Sequence, residues 1–132
     1  MKTGNFLIAD LISRINFGAI RRLRFVKVNL NDTTLKICKI LYIHGAIRTF
    51  IIKDDKILIY YKYYLSRIAV KLSIVSKPGN RIFWSLGELS RKFNNNNFSG
   101  FYIISTQNGL YSSDYCLLEG HISGEVLIKV EI

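Results

Sequence analysis

A cluster of small polar residues, Ser105-Thr106-Gln107-Asn108-Gly109, directly follows an apolar run from Phe101 to Ile104. An apolar run of aromatic and β-branched residues predicts a buried strand, and the pair Asn108-Gly109 predicts a turn at its end. A rigid strand would then present hydroxyls, an amide and backbone N–H groups at one edge. Such groups can bind phosphates, sugars and base edges without any catalytic residue. The cluster therefore predicts a binding loop.

Sequence patterns for catalysis or metal binding are missing from this chain. Its glycines do not have the spacing of a phosphate-binding loop. Its two histidines are isolated, and its nine acidic residues form no pattern of metal ligands. Ser105 and Thr106 carry hydroxyls that can act as nucleophiles, but no histidine is placed in sequence as their base. We therefore expect a protein that is not an enzyme and that uses no cofactor, metal ion or small-molecule substrate.

The charge and composition narrow the choice of partner. The chain has 132 residues and a formal net charge of +10, and 49% of its residues are hydrophobic. It can therefore build a core, as one compact unit or as two small subdomains. The positive charge favours nucleic acid or an anionic membrane surface, although an ordinary basic protein can have the same composition. Every apolar run is shorter than the roughly 20 residues of a membrane span, and no secretory signal is evident, so no membrane partner is expected.

The first half of the chain predicts two helices and a hairpin. Residues 5–17 predict a helix on which Asp10 and Arg14 stand four residues apart and can pair. Residues 35–42 predict a second helix, after a start signal at residues 31–34 and before Gly45. Residues 47–53 and 56–63 predict two strands, whose closely spaced tyrosines favour core and edge packing over an RNA-stacking surface. The helical residues predicted to be buried are Ile8, Leu11, Ile12, Ile15, Leu35, Cys38, Leu41 and Tyr42.

The second half predicts a mainly β organisation. We expect a half-buried strand over residues 67–75, a short strand over 81–84, a short helix over 86–93, an asparagine loop over 94–97, a short helix over 115–118 that ends at Gly120, and a last strand over 125–132. The order of elements predicts an α+β fold with an N-terminal subdomain over residues 1–64 and a β-rich subdomain over 65–132. Cys38 and Cys116 lie in apolar surroundings and are expected to be buried free thiols.

Three segments carry a resemblance to a known family. Residues 103–110, Ile-Ile-Ser-Thr-x-x-Gly-Leu, followed by Gly120 and by Gly-Glu-Val-Leu at 124–127, resemble the C-terminal signature of small-subunit ribosomal protein eight, bacterial type. Residues 76–83, Ser-Lys-Pro-Gly-x-Arg-Ile-Phe, resemble that family's Ser-Arg-Pro-Gly-x-Arg-Ile-Tyr segment. Residues 8–15 resemble its opening helix. The segments follow the family's order and spacing and together cover nearly the whole chain.

The resemblance implies a two-subdomain fold and a structural protein of the small ribosomal subunit. Such a protein binds a stem in the central domain of the small-subunit rRNA, lies beside other ribosomal proteins and helps the domain assemble. The family's main contact falls on the binding loop, which Glu125 supports, and further contacts come from the segment at residues 76–81. The densest basic run, at residues 21–24, is then expected to contact the RNA backbone instead of being a merely solvated surface. The expected rRNA-binding residues are Ser105, Thr106, Gln107, Asn108, Gly109, Glu125, Ser76, Lys77, Pro78, Gly79, Arg81, Arg14, Arg21, Arg22 and Arg24.

The chain departs from the family pattern at several of these positions. Gln107 stands where the family usually has a third small hydroxyl residue, and Asn108 stands where it often has a basic one. Asn16-Phe17-Gly18 replaces the family's common Arg-Asn-Gly, and residues 121–123 replace a tighter glycine-rich approach to Gly124. These departures imply altered or weaker contacts with RNA at those positions.

Composition also bears on the compartment and on the competing functions. The chain is rich in Ile, Asn, Lys, Tyr and Phe, whose codons are AT-rich, and no separate presequence is evident. Both features fit a protein encoded in an AT-rich mitochondrial genome, with a plastid or a bacterial cytoplasm as alternatives. The main competing function is a small basic interaction protein that binds another protein through its tyrosine-rich hairpin. A role at a membrane surface is a third.

Overall fold

The structure, a computed structural model, describes residues 2–64, 67, 68, 70–77, 79–95, 100–119 and 124–131. The chain divides into two compact units, one reaching to Leu72 and the other spanning Ser73–Glu131. The structural division thus falls at residue 72, whereas the sequence predicted one at residue 64. Helices and antiparallel sheets occur together, so the predicted α+β class is confirmed. Within the described residues, no helix is both long enough and apolar enough to span a membrane.

The first unit packs helices against a small antiparallel sheet. Its strands β1, β3 and β2 are hydrogen-bonded in that order, and β4 and β5 form a separate two-stranded ribbon. The elements of its described part are α1 (Lys2–Ile20), β1 (Phe25–Asn29), α2 (Asp32–Ile43), β2 (Thr49–Lys53), β3 (Lys56–Tyr60), β4 (Tyr63–Tyr64) and β5 (Arg67–Ile68).

Helix α1 is longer than predicted at both ends, and its predicted apolar face is buried. Helix α2 begins at Asp32, within the predicted start signal and before the predicted helix at residues 35–42, because the side chain of Asn31 accepts a hydrogen bond of 2.8 Å from the backbone of Thr34. It ends before Gly45, which has a φ of +73° and so terminates the helix in the left-handed conformation. The expected burial of Tyr42 is wrong: its exposed fraction is 51%, and Ile37 is the buried residue instead. The buried residues of the predicted face of α1 are Ile8, Leu11, Ile12 and Ile15.

Tyr61 ties the end of the hairpin to α1. Its side chain is buried, and its hydroxyl donates a hydrogen bond of 2.7 Å to the carbonyl oxygen of Ile15. Burial raises the pKa of the Tyr61 hydroxyl, which therefore stays protonated and remains a donor. Gly18 faces this hydroxyl so closely that a Cβ would overlap it. For Tyr61, the predicted role of the hairpin tyrosines in core packing is confirmed.

Beyond residue 70 the chain forms a larger antiparallel sheet with two helices. The sheet has the order β6-β10-β8-β9, and β7 also pairs with β10, so that β10 is a central strand. A β-bulge between Val126 and Ile128 shifts the register of β10 against β8. The elements are β6 (Lys71–Ile74), β7 (Phe83–Trp84), α3 (Leu86–Asn95), β8 (Gly100–Thr106), β9 (Gly109–Ser112), α4 (Ser113–Glu119) and β10 (Gly124–Glu131).

Two predictions for this half are corrected. The single strand expected over residues 67–75 is wrong, because β5 pairs with β4 whereas β6 pairs with β10. The asparagine loop is wrong for residues 94 and 95, which belong to α3. Residues 96 and 97, Gly120, residues 121–123 and Ile132 lie outside the described residues.

The core of the second unit lies between its sheet and its helices. The ring of Trp84 meets that of Tyr102 edge to face, with centroids 4.9 Å apart. Cys116 belongs to this core and Cys38 to that of the first unit; both are buried free thiols, as predicted. Burial raises the pKa of the Cys38 thiol to about 12, so it has little thiolate character near neutral pH. One cluster of buried residues in this core comprises Leu89, Tyr102, Ile104, Cys116 and Val126.

Candidate nucleic-acid interface

The binding loop forms the tip of the hairpin between β8 and β9. Thr106 pairs with Gly109, so Gln107 and Asn108 make the two-residue turn and are exposed, one residue earlier than the predicted turn. The Thr106 hydroxyl donates a hydrogen bond of 3.0 Å to the carbonyl oxygen of Gly109 and accepts one of 3.2 Å from the backbone N–H of Asn108. A hydroxyl has one proton and two acceptor sites, so Thr106 can offer an RNA ligand only its remaining acceptor site.

Two tyrosines brace the binding loop from the side of α4. The Tyr111 hydroxyl donates a hydrogen bond of 3.2 Å to the carbonyl oxygen of Asn108. The Tyr111 ring stacks on that of Tyr115, with centroids 4.7 Å apart and an interplanar angle of 15°. Neither residue is among those that the sequence predicts for the site. The spacing of four residues between Tyr111 and Tyr115 is the one sequence feature that could indicate their contact. That spacing brings side chains together within a helix, but Tyr111 lies in a strand and Tyr115 in the helix that follows.

Glu125 lies beside the base of the binding loop. It is the register partner of Ser105 between β10 and β8. The preceding Gly124 permits the close approach of the two strands, because a Cβ at Gly124 would lie 2.5 Å from the carbonyl oxygen of Ser105. The Glu125 carboxylate accepts a hydrogen bond of 3.0 Å from the Arg81 guanidinium, and both side chains are partly buried. The structure therefore brings Ser105, Glu125 and Arg81 together, and the support of the loop by Glu125 stays a prediction.

The Ser76 hydroxyl is used in hydrogen bonds within the protein, around its own turn. The residue is only 2% exposed. Its hydroxyl donates a hydrogen bond of 2.7 Å to the carbonyl oxygen of Val126 and accepts one of 2.9 Å from the backbone N–H of Ile82. It thus joins the start of the turn at residues 76–81 to the strand that follows it and to β10. The Ser76 side chain therefore lies below the surface and supports the turn.

Lys77, Gly79 and Asn80 of this turn face solvent. Backbone hydrogen bonds of 3.1 and 2.9 Å between Lys77 and Asn80 close it. Lys77 and Gly79 are exposed, so the tip of the turn presents a positively charged side chain and solvent-accessible backbone. Pro78 lies outside the described residues.

The predicted cations of the first unit are all exposed. Arg14 donates a hydrogen bond of 3.0 Å to Asp10, which confirms the predicted pair. The Arg21 guanidinium lies 5.3 Å from the centre of the Phe17 ring, a cation–π contact. Arg22 has a φ of 58° in the turn that leads from α1 towards β1, and the exposed Arg24 follows it. These positions suit contact with a polyanion, because each positive group is open to solvent.

The described residues carry exposed positive charge in each unit and hydrogen-bonding groups at the binding loop. Within the described ranges, no group of three or more histidine, cysteine, aspartate or glutamate side chains is placed to hold a metal ion. The exposed cations can neutralise phosphates, and the braced loop can contact sugars and base edges. This combination is typical of recognition of a folded RNA.

Comparisons with known proteins identify relatives along nearly the full length. The family model described as ribosomal protein S8 matches residues 7–130. The small ribosomal subunit protein uS8m of Acanthamoeba castellanii is 34% identical over 126 residues, which cover 94% of this chain and 98% of the relative. The small ribosomal subunit protein uS8 of Dichelobacter nodosus is 33% identical over 127 residues, which cover 93% and 95% of the two chains.

Proposed function

Because the chain belongs to the ribosomal protein S8 family, and is thus a structural, non-enzymatic protein of the small ribosomal subunit, we propose that it binds a stem in the central domain of the small-subunit rRNA. In this role it helps the domain to assemble and so supports translation. The observation that carries the proposal is the binding loop, whose exposed tip is held by hydrogen bonds from Thr106 and Tyr111. A loop that is ordered before it meets RNA loses less conformational entropy on binding.

The chemistry of the loop favours recognition of RNA shape. The exposed Gln107 and Asn108 can donate and accept hydrogen bonds, and the free acceptor site of Thr106 can receive a 2′-OH proton. Arg81, held by Glu125, adds a partly exposed cation near the base of the loop. These groups recognise an irregular stem through its backbone, its 2′-OH groups and the base edges that it exposes.

Exposed arginines and lysines supply the sequence-independent part of the affinity. The net charge of +10 and the exposed positions of Arg14, Arg21, Arg22 and Arg24 support backbone contacts in the first unit. Lys77 is the corresponding exposed cation at the tip of the turn in the second unit. Each phosphate that a protein neutralises releases counterions, so the affinity falls as the salt concentration rises.

We also propose that the protein works in the mitochondrion. One similar protein is the uS8m of Acanthamoeba castellanii, and the AT-rich codon bias implied by the composition agrees with a mitochondrial gene. Bacterial uS8 proteins are similar to nearly the same degree, for example that of Dichelobacter nodosus. Localisation of the tagged protein by immunogold microscopy tests this part of the proposal, and labelling outside mitochondria would contradict it.

The deciding experiment is a titration of the purified chain with two RNA stems. One is the central-domain stem of its own organism, and the other is an unrelated stem of equal length and base composition. We expect tight binding to the first stem alone, with a logarithmic affinity that falls linearly with the logarithm of the salt concentration. Equal affinities for the two stems would refute specific rRNA recognition and would favour the competing role in binding proteins through the tyrosine-rich hairpin.

A further inference from the structure

A groove in the first unit lies apart in sequence from every residue predicted to contact rRNA. It consists of two clefts, of about 600 and 370 Å³, that share Tyr42 and Ile43 at the end of α2. The following strand β2 contributes Phe50, and the surrounding chain contributes positively charged side chains. We define the α2–β2 groove by the residues Lys39, Tyr42, Ile43, Arg48, Phe50 and Lys62.

The floor of the α2–β2 groove is apolar and exposed. Ile43 is 76% exposed, although it lies in the last turn of a helix that buries its other face. The Tyr42 ring meets the Phe50 ring edge to face at 6.1 Å, so the aromatic part of the floor is held in place. Ile52, two residues beyond Phe50 and on the same face of β2, is 49% exposed. Exposed aliphatic and aromatic residues that adjoin one another mark sites of protein–protein contact.

The rim of the groove is positively charged. Lys39, Arg48 and Lys62 line the two clefts, and no acidic side chain lines either of them among the described residues. The Lys62 ammonium lies 3.7 Å from the position that a Cβ on Gly45 would take, directly beyond the end of α2. Complementary charge therefore selects a partner that carries carboxylates next to apolar side chains.

Strand β2 also offers an edge for pairing. It is the last strand in the order β1-β3-β2, and within the described residues no strand pairs with its outer edge. An extended segment of another protein can add to such an edge through backbone hydrogen bonds, while its side chains occupy neighbouring clefts. In an extended segment successive side chains point to opposite faces, so alternating apolar and acidic residues match an apolar floor with a cationic rim.

We propose that the α2–β2 groove docks an extended segment, with alternating apolar and acidic residues, from a neighbouring protein of the ribosomal subunit. RNA is the less suitable occupant, because the exposed side chains of Ile43 and Ile52 cannot form hydrogen bonds or ion pairs with phosphates. They would instead face the hydrophilic sugar–phosphate backbone. Protein interfaces, by contrast, bury apolar anchors at their centre and place charges at their rim. The inference goes beyond the proposed contact with rRNA and does not depend on the binding loop.

The partner can be identified by photo-cross-linking in assembled subunits. p-Benzoylphenylalanine is placed at position 42, and the cross-linked species are identified by mass spectrometry. We expect a peptide with an excess of Asp and Glu over Lys and Arg and with apolar residues between them. A cross-link to rRNA, a cross-link to a peptide without that excess, or no cross-link in subunits shown to contain the modified chain would overturn the proposal.

Binding of the synthetic form of the cross-linked peptide then tests the groove itself. Ile43→Gln removes an apolar anchor and is expected to weaken peptide binding about tenfold. Ile20→Gln is the matched control, because Ile20 is 73% exposed at the end of α1 and lines neither cleft. Arg48→Glu should weaken binding further, and replacing a single acidic residue of the peptide by lysine should cost less affinity for that variant than for the wild-type protein. Equal effects of Ile43→Gln and Ile20→Gln would contradict the proposal, whereas rRNA-stem affinity should stay within about twofold in both variants.

Discussion

Replacing Thr106 by valine is expected to weaken rRNA binding while the fold stays intact. Valine has nearly the same shape as threonine and is also β-branched, so the pairing of β8 with β9 is kept. The substitution removes one hydrogen bond to the carbonyl oxygen of Gly109 and one from the N–H of Asn108. The turn would then be held by its strand pairing and by the contact of Tyr111 with Asn108.

The size of this effect follows from the two lost hydrogen bonds. Each contributes about 0.5–1.5 kcal/mol net, and the lower part of that range applies because the loop is partly exposed and water can replace the lost partner. The total is about 1–1.5 kcal/mol, which the RNA complex must now supply to order the loop. Because about 1.4 kcal/mol corresponds to a factor of ten in affinity, the dissociation constant should rise about tenfold. The slope of affinity against salt should not change, since no charge is altered.

The assay is a fluorescence titration of the central-domain stem with wild-type protein, Thr106→Val and Thr106→Ser. Serine keeps the hydroxyl and both hydrogen bonds, so Thr106→Ser should bind within about threefold of wild type. Circular dichroism and a urea unfolding curve check that each variant is folded. Wild-type affinity in Thr106→Val, or an equal loss in both variants, would refute the conclusion that the hydroxyl orders the loop.

Two further substitutions test the supports of the fold. Ser76→Ala leaves a partly buried N–H and a buried carbonyl without their hydroxyl partner, and should lower the free energy of unfolding by about 2–3 kcal/mol in urea titrations. The rRNA affinity of the folded variant should stay near wild type, and a large loss of affinity without a loss of stability would contradict a supporting role. Gly18→Ala forces a methyl group against the Tyr61 hydroxyl and should cost about 1–3 kcal/mol. Part of that cost should be recovered when Tyr61→Phe is added, and a purely additive double-mutant cycle would show that the two residues do not clash.

Local features of the fold could be predicted because they are set by nearby residues. The face of α1 follows from helical periodicity, and the start of α2 follows from a side-chain cap at Asn31. The exposure of Tyr42 could not be predicted in the same way. Two overlapping apolar stripes of α2 share Cys38 and Leu41. Helix α2 packs against α1 and β2, and the stripe with Ile37 is the buried one. Likewise, the alternation of apolar and polar residues over 67–75 predicts extended backbone, but it does not determine with which strand each part pairs.

The candidate site, too, could be predicted only where nearby residues determine its structure. The residue types of the binding loop predict a turn with polar groups, and the structure places a turn there. The internal use of the Thr106 hydroxyl and the contact of Arg81 with Glu125 depend on how separate segments meet. Ser76 is the clearest case, because a turn sequence indicates exposure whereas its hydroxyl points to β10. The predicted contacts of these residues with RNA stay predictions.

The central place of β10 in its sheet has a consequence for the timing of synthesis. Translation produces β6, β7, β8 and β9 before β10, yet β10 lies between β6 and β8 and carries the Glu125 that holds Arg81. During synthesis, β6 and the β8–β9 hairpin therefore remain unjoined until residues 124–131 have emerged. An interrupted copy of the chain lacks both the strand that joins β6 to the β8–β9 hairpin and the carboxylate that holds Arg81.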